Sequence, residues 1–296
     1  TIGCDHRYGG TRMEYETQFA LGPLCGVDDP ARLLAAAAAC DELGLDTISA
    51  GGCLAFAMEC AEKGLVDWPL RFGDDLVPWL VRIARREGPG DSLAEGTRRL
   101  AAVIGQGSAA FACHVKGLEL PGYEPRAMQT MALGLCVASR GADHNRSGAY
   151  QADLRPGVDR YHAELARAPA LVVETEDHAA LLDSLILCKF LRGAIPEPWH
   201  EGAELLTMFT GVCHDADALH RAVARIAELR HRFNLREGWT IAEDRLPDRF
   251  YDEPLADGAR LERDAVAAQV AAYHALRGRG TDGRDMPTRE PGLTDL

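Results

Sequence analysis

Apolar positions recur along most of the chain every three or four residues, the spacing of helices with one face in a core. The segment "DDPARLLAAAAACDELG" sets the plan. An Asp N-cap candidate stands before Pro30, an alanine–leucine run follows, and Gly44 sits where a helix should close. "AGGCLAFAMECAEKGL" repeats it and stops at Gly64. Shorter helices are predicted in "DDLVPWLVRIARREG" and "DSLAEGTRRLAAVIG", each closed by glycine, and a long one through "EPRAMQTMALGLCVASRG". "TEDHAALLDSLILCKFL", "EPWHEGAELLTMFTG", "DADALHRAVARIAELRHRFN" and "ERDAVAAQVAAYHALRG" complete the set. Strict alternation is almost absent, and "ALVVET" around Val172 is the best strand candidate. The predicted fold class is mainly α.

Prolines and a glycine interrupt the helices at "LELPGYEPR", which divides the chain into expected domains 1–120 and 121–296. "NRSGAYQADLRPGVDRYHAELARAPA" reads as a long connection, of the kind that more often binds something than idles. The end, "GRGTDGRDMPTREPGLTDL", reads as a polar surface strap.

With 296 residues, 47% of them hydrophobic, the chain has material for a sizeable core. No apolar run approaches the ~18–20 residues of a membrane span, so no membrane partner is expected. The net charge of −13 argues against nucleic acid as a partner, since phosphates would be repelled. Nine cysteines, an odd number set mostly in apolar helical contexts, point to buried thiols in a reducing, cytoplasmic setting.

Two stretches read alike. "DELGLD" runs from Asp41 to Asp46, and "DSLILC" from Asp183 to Cys188, each closing an apolar helical segment. An ordinary helix end with solvated acids would show the same pattern. A carboxylate at such an end can also accept two parallel hydrogen bonds from the N–H edge of a pterin. Two copies would suit two pterins, and the closing cysteine could hold an iron of a neighbouring cluster.

These motifs sit in a longer likeness. "EYETQFALGPLCGVDD", "DELGLDTISAGGCLAFAMECAEKGL", "HVKGLELPGYEPR", "DSLILCKF", "RHRFNLREGWT", "LPDRFYDEPL" and "YHALRGRGTDGRDMPT" resemble, in order, roughly the C-terminal two-thirds of the tungsten-dependent aldehyde:ferredoxin oxidoreductase family. The resemblance implies two packed helical domains, a tungsten or molybdenum bis-pterin and a [4Fe–4S] cluster. It also implies an N-terminal β domain that is missing from this sequence, and it allows a homodimer. Cys4 resembles the third cysteine of a Cys-x-x-Cys-x-x-x-Cys cluster segment, and Cys188 the distant fourth ligand. Cys25, Cys40 and Cys136 are not expected to bind iron. Asp41 and Asp183 resemble the two pterin-edge acids. Leu45, Asp46 and Thr47 resemble contacts to one pterin, Leu187 with Cys188 contacts to the other, and Arg146 a basic pterin contact. Glu16 resembles the acid near the metal's open side and His144 the histidine there.

One position departs from the family pattern, which has glycine where this chain has Ile186. A β-branched residue resists a left-handed turn, so the second helix is expected to run on past Ile186. His144 lies in a Gly/Arg/Asn/Ser-rich loop, a setting that favours a site. His220 and His231, on a charged helix, read as solvated. Asp41, Asp183, Glu16 and His144 are expected to open onto one cavity. The implied reaction oxidises a small aldehyde to a carboxylic acid and passes electrons to ferredoxin, with Glu16 as base and His144 as proton donor or carbonyl polariser. Two alternatives stand beside it: an acyl-thioester reductase subunit with the same cofactor, and a cofactor-free helical scaffold. The chain by itself is expected to fold but not to catalyse.

Overall fold

The structure, a computed structural model, describes residues 13–154, 166–191, 193–280 and 282–284. Its regular structure is almost all helix, with one two-stranded hairpin among the described residues. The chain forms two compact units. The first holds residues 1–124, 140–143 and 246–260; the second holds 125–139, 144–245 and 261–296.

In the first unit, α1 (Tyr15–Leu21), α2 (Pro30–Leu43), α3 (Thr47–Glu62), α4 (Val77–Arg85), α5 (Pro89–Leu93) and α6 (Thr97–Ile104) surround one apolar core. Helix α3 is its centre, buried on every side from Ala50 to Ala61, so its sequence has no polar stripe. Local chemistry sets the ends. Asp29 accepts from Ala31 N at 2.8 Å, Pro30 fills the first turn of α2, and Asp46 accepts from Ser49 N at 2.8 Å to start α3. A hairpin of β1 (His114–Val115) and β2 (Leu118–Glu119) carries buried Glu119, whose carboxylate accepts from Thr97 N at 2.7 Å and starts α6.

The second unit is built on α10, with α7 (Gln129–Val137), α8 (His144–Ser147), α9 (Tyr150–Asp153), α10 (Ala168–Ser184), α11 (Pro198–Thr210), α12 (Ala216–Arg236) and α13 (Arg263–Leu276). Helices α7, α8, α12 and α13 pack on α10. Its interior is partly charged. Glu176 accepts from Tyr273 Oη at 2.6 Å and pairs with Arg277, which also meets Asp177 at 2.8 Å. Asp244 accepts from Trp239 Nε1 at 3.0 Å and pairs with His274 at 2.8 Å.

Several expectations are corrected. "ALVVET" is helical and lies inside α10, where Ala168, Val172, Thr175, Glu176, Ala179 and Ala180 are buried at helical spacing. "DSLAEGTRRLAAVIG" is not one helix, because Gly96 at φ +82° separates α5 from α6. Helix α4 closes at Arg86, not at a glycine; Arg86 takes φ +55° and ties its guanidinium to Asp91 and Glu95. The helix in "EPRAMQTMALGLCVASRG" covers only α7, since Ala138 turns extended. His231 is buried, with Nε2 2.6 Å from Gly283 O and its ring edge-on to Trp239. The long connection begins as α8 and α9, and its residues 155–165 lie outside the described residues, as does most of the C-terminal strap. Among the described residues no helix is long and apolar enough to cross a membrane.

Candidate functional site

The two Asp motifs form the same backbone turn. After α2, Gly44 takes φ +69°, its N–H reaches Asp41 O at 3.4 Å, and Leu45 N reaches Cys40 O at 2.9 Å. After α10, Ile186 takes φ +57°, its N–H reaches Asp183 O at 3.3 Å, and Leu187 N reaches Leu182 O at 2.9 Å. The second helix therefore does not run on past Ile186. The paired hydrogen bonds satisfy carbonyls that the helix end would leave open, and they hold an unfavourable conformation in place. This turn is not in itself a signature, since α3, α4, α12 and α13 end the same way. An acid three residues before the left-handed position separates α2 and α10 from those four, which have Ala61, Ile83, Leu235 and Ala275 there.

In the first unit, α1 crosses α3 very closely. A Cβ on Gly51 would lie 2.3 Å from Ala20 O, so only glycine permits the approach. The crossing brings Thr17 Oγ1 to 3.0 Å from Thr47 Oγ1, beside the start of α3. Glu16 Oε2 accepts from Gly122 N at 2.7 Å, and Tyr15 Oη donates to Gly122 O at 2.7 Å. Burial pushes the Glu16 carboxyl above the ordinary glutamate range, against the lowering effect of the Gly122 N–H. Asp41 is exposed, and its side chain makes no hydrogen bond or ion pair with a described residue. Asp46 is occupied at the start of α3, and Leu45 packs on the core.

In the second unit, the Asp183 carboxylate holds two cations. Arg146 Nη1 donates to Oδ2 at 3.0 Å, and Lys189 Nζ lies 3.3 Å from Oδ1. Lys189 also donates to Asn145 O at 2.7 Å, and Asn145 Nδ2 lies 2.9 Å from His144 Nε2. One ammonium thus ties the helix bearing His144 and Arg146 to the turn bearing Cys188. Sequence reasoning missed Lys189, Asn145 and Gly122. A basic residue directly after the motif was the one signal, and its partner lies 44 residues away.

The predicted site residues thus gather in two groups. Glu16, Asp41, Leu45, Asp46 and Thr47 belong to the first unit, and His144, Arg146, Asp183, Leu187 and Cys188 to the second. Cys4 lies outside the described residues. Cys188 and Cys213 are exposed thiols, whereas Cys25, Cys40, Cys53, Cys60 and Cys136 are buried. Burial pushes Cys25, Cys40 and Cys53 up to about 12 and Cys60 to about 11, so none is ready to ligate iron as a thiolate.

The donor set can be tested against the implied groups. Among the described residues no three His, Cys, Asp or Glu converge as a metal site. One motif thiol cannot hold a four-iron cluster. The pterin edge fits better. Asp41 offers a bare carboxylate beside a left-handed turn, and Asp183 offers the same carboxylate with two cations for an anionic group.

Known proteins resemble this chain over most of its length. The tungsten-containing aldehyde ferredoxin oxidoreductase of Pyrococcus furiosus is 34% identical over 285 residues, covering 92% of this chain and 46% of that protein. Its namesake in Thermococcus kodakarensis is 34% identical over 284 residues, with the same shares. The aliphatic sulfonate oxidoreductase, WOR-like subunit, of Pyrococcus furiosus is 28% identical over 94% of this chain and 44% of its own length. Among solved structures, the active-site complex BamBC of benzoyl coenzyme A reductase, in complex with 1,5 dienoyl-CoA, shares the fold. It has a TM-score of 0.70 at 20% identity and covers 95% of this chain and 49% of that one. The chain spans about half the length of the curated relatives it matches. Residues 1–291 match the family model described as aldehyde ferredoxin oxidoreductase, domains 2 and 3, and the chain belongs to that family.

Proposed function

We propose that this chain forms the helical half of an enzyme that oxidises a small aldehyde to a carboxylic acid. The observation that carries the reading is the pair of matched helix ends, each with an acid three residues before a left-handed residue. A β domain of the family type, supplied outside these 296 residues, would complete the site. The two units would be the family's two helical domains.

A bis-pterin of tungsten or molybdenum would supply two-electron chemistry, and the Asp41 and Asp183 carboxylates are the groups of this chain that would hold its pterin edges. The overall reaction takes one aldehyde and one water to one carboxylic acid, two protons and two electrons. The electrons leave one at a time to ferredoxin or a similar acceptor. Glu16 takes a proton from water or the hydrated aldehyde. Its raised proton affinity makes it a stronger base than an exposed glutamate. His144, held through Asn145 and Lys189, donates a proton toward the carbonyl oxygen. Free thiols at all eight described cysteines support a reducing cytoplasm. The fold shared with benzoyl coenzyme A reductase carries no reaction at 20% identity, so acyl-thioester reduction is not adopted.

The test is anaerobic expression with tungstate, with the chain joined to the family's β domain and cluster cysteines. Metal content and aldehyde-dependent dye reduction are both read. Asp41→Asn and Asp183→Asn should each lower bound tungsten about tenfold, the worth of a charge-assisted hydrogen-bond pair. Glu16→Gln should keep its metal and lose about 10²- to 10⁴-fold in turnover. A joined protein without tungsten, or full turnover by Glu16→Gln, would sink the reading.

A further inference from the structure

Helix α12 carries two faces of different chemistry. Its buried side is Leu219, Val223, Ala227 and His231, each four residues from the last. Leu219 and Val223 pack with Ala180 and Leu181, at the end of α10 that leads into the second Asp motif. The opposite side also repeats at helical spacing. It presents Arg221, Arg225, Arg232 and Arg236, with exposed Leu229 among them and exposed Phe233 at its edge. At 1.5 Å per residue this stripe is about 22 Å long. Arg232 pairs with Glu228 at 2.9 Å. Arg221, Arg225 and Arg236 are exposed and make no hydrogen bond or ion pair with a described residue.

The pattern works against the helix, except at Arg236, whose charge suits the C-terminal end. Arg221 with Arg225, and Arg232 with Arg236, are like charges four residues apart, which cost an isolated helix about 0.2–0.5 kcal/mol a pair. Five arginines stand in α12 against two acids, Asp217 and Glu228, in a chain of net charge −13. A basic stripe with an apolar centre, on an otherwise acidic molecule, is complementary to a partner that is itself acidic. A membrane or a nucleic acid matches poorly, because its phosphates extend past the stripe and would meet the acidic remainder of the chain. A small protein can cover the stripe alone.

We propose that this face of α12 docks a small acidic protein that takes electrons from the enzyme. The electron-accepting role rests on the proposed aldehyde oxidation, whereas the acidity of the partner rests on the arginines. A carrier seated there is one helix diameter, about 10–12 Å, from the end of α10 that leads into the second motif.

The 296-residue chain is titrated with a purified acidic ferredoxin, with the same ferredoxin after amidation of its carboxylates, and with phosphatidylserine vesicles. The titration is made at about 0.01 M salt, where charges are felt over about 30 Å. The untreated ferredoxin should bind, less tightly as salt is added, and the amidated form should not. Arg221→Gln, Arg225→Gln and Arg236→Gln should each weaken binding up to about fivefold, the range of an exposed ion pair, and the three together about tenfold or more. Arg85→Gln, which removes an exposed arginine of the first unit, should change it less than about twofold. Equal weakening by Arg85→Gln would reduce the effect to overall charge and overturn the site. The triple variant should melt no lower than the unchanged chain, since none of its arginines leaves a partner behind; a large drop would make them structural and overturn the site. Binding of vesicles without ferredoxin would make the stripe a membrane face and overturn the partner. No binding of ferredoxin overturns the proposal altogether. In the joined, tungsten-loaded enzyme, the triple variant should lower kcat/KM for ferredoxin about tenfold relative to the rate with a small uncharged dye, which needs no docking face. An unchanged ratio overturns the proposal, as does hydrogen exchange showing α12 covered by the β domain in the joined protein. A joined enzyme that oxidises no aldehyde, while the chain still binds ferredoxin through α12, would defeat the proposed reaction and leave the acidic-protein face standing.

Discussion

Ile186 holds a backbone conformation that its own side chain opposes. Its φ is +57° and its side chain is 92% exposed, so no packing contact repays the strain. The left-handed region costs an L-residue about 1–2 kcal/mol, and glycine gives back about 0.5–1 kcal/mol in unfolded-chain entropy. Ile186→Gly should therefore raise stability by about 0.5–1 kcal/mol net, while Ile186→Ala should gain little because it keeps the Cβ. Urea midpoints of the three proteins check this, and a destabilised glycine variant would show that the turn depends on the isoleucine. Thiol reactivity belongs to the same scale. Among the eight described cysteines, Cys188 and Cys213 should be alkylated first at pH 8. Cys25, Cys40 and Cys53, held near 12 by burial, should react only on unfolding. Peptide mapping of a timed labelling series reads the order, and early labelling of Cys40 would contradict it. Lys189 shows what residue-level reading could not reach. Its identity is plain in "DSLILCKF", but its partner Asn145 is chosen by tertiary packing.

At the scale of the element, the crossing of α1 on α3 is what places Glu16 and Thr47. Gly51→Ala would put a methyl 2.3 Å from Ala20 O, a backbone atom that cannot rotate away. The variant should lose about 2–3 kcal/mol as the helices part, and the Glu16–Gly122 contact should loosen with them. A melting curve and a crystal structure of the variant would test both; wild-type stability would mean that the helices can slide at no cost. Glu16 also gives unit one a pH dependence of definite sign. Its folded proton affinity is raised, so the folded state binds the proton more tightly than the unfolded chain does. That contribution is full below the ordinary glutamate range and is lost as pH rises through the raised value. The difference in stability between the unchanged chain and Glu16→Gln should shift in that direction across the window, and a shift of opposite sign would refute the burial argument. Elements were legible where their signals are local, as Asp29, Pro30 and Gly44 show around α2. They were misread where composition competes with period. The β-branched "ALVVET" suits a strand, yet the buried positions of α10 repeat every three or four residues once Ala168, Val172 and Thr175 are lined up with Ala179.

Over the whole molecule, the two units keep their shape by different chemistry. The first has a core of leucine, alanine, cysteine, methionine and tryptophan side chains around α3. The second adds a buried ionic network in which Arg277 holds both Glu176 and Asp177, with Tyr273 closing on Glu176 at 2.6 Å. Such a network contributes little beyond a well-packed apolar substitute, but removing one member leaves a charge without compensation. Arg277→Met keeps most of the volume and strips the guanidinium from two acids. It should cost about 3–5 kcal/mol, at least as much as Gly51→Ala is expected to cost in the other unit. The site of the loss is as telling as its size. Trp199 and Trp239 belong to the second unit, and Trp68 and Trp79 to the first, so hydrogen exchange of their peptides reports the units separately. Protection should fall first in peptides of α10, which carries Glu176, and of α13, which ends just before Arg277. A double change, Arg277→Met with Glu176→Gln, should recover part of the stability, because the carboxylate left without its guanidinium becomes neutral. Equal losses in the single and double variants would show that the guanidinium is lost for its packing and not for its charge.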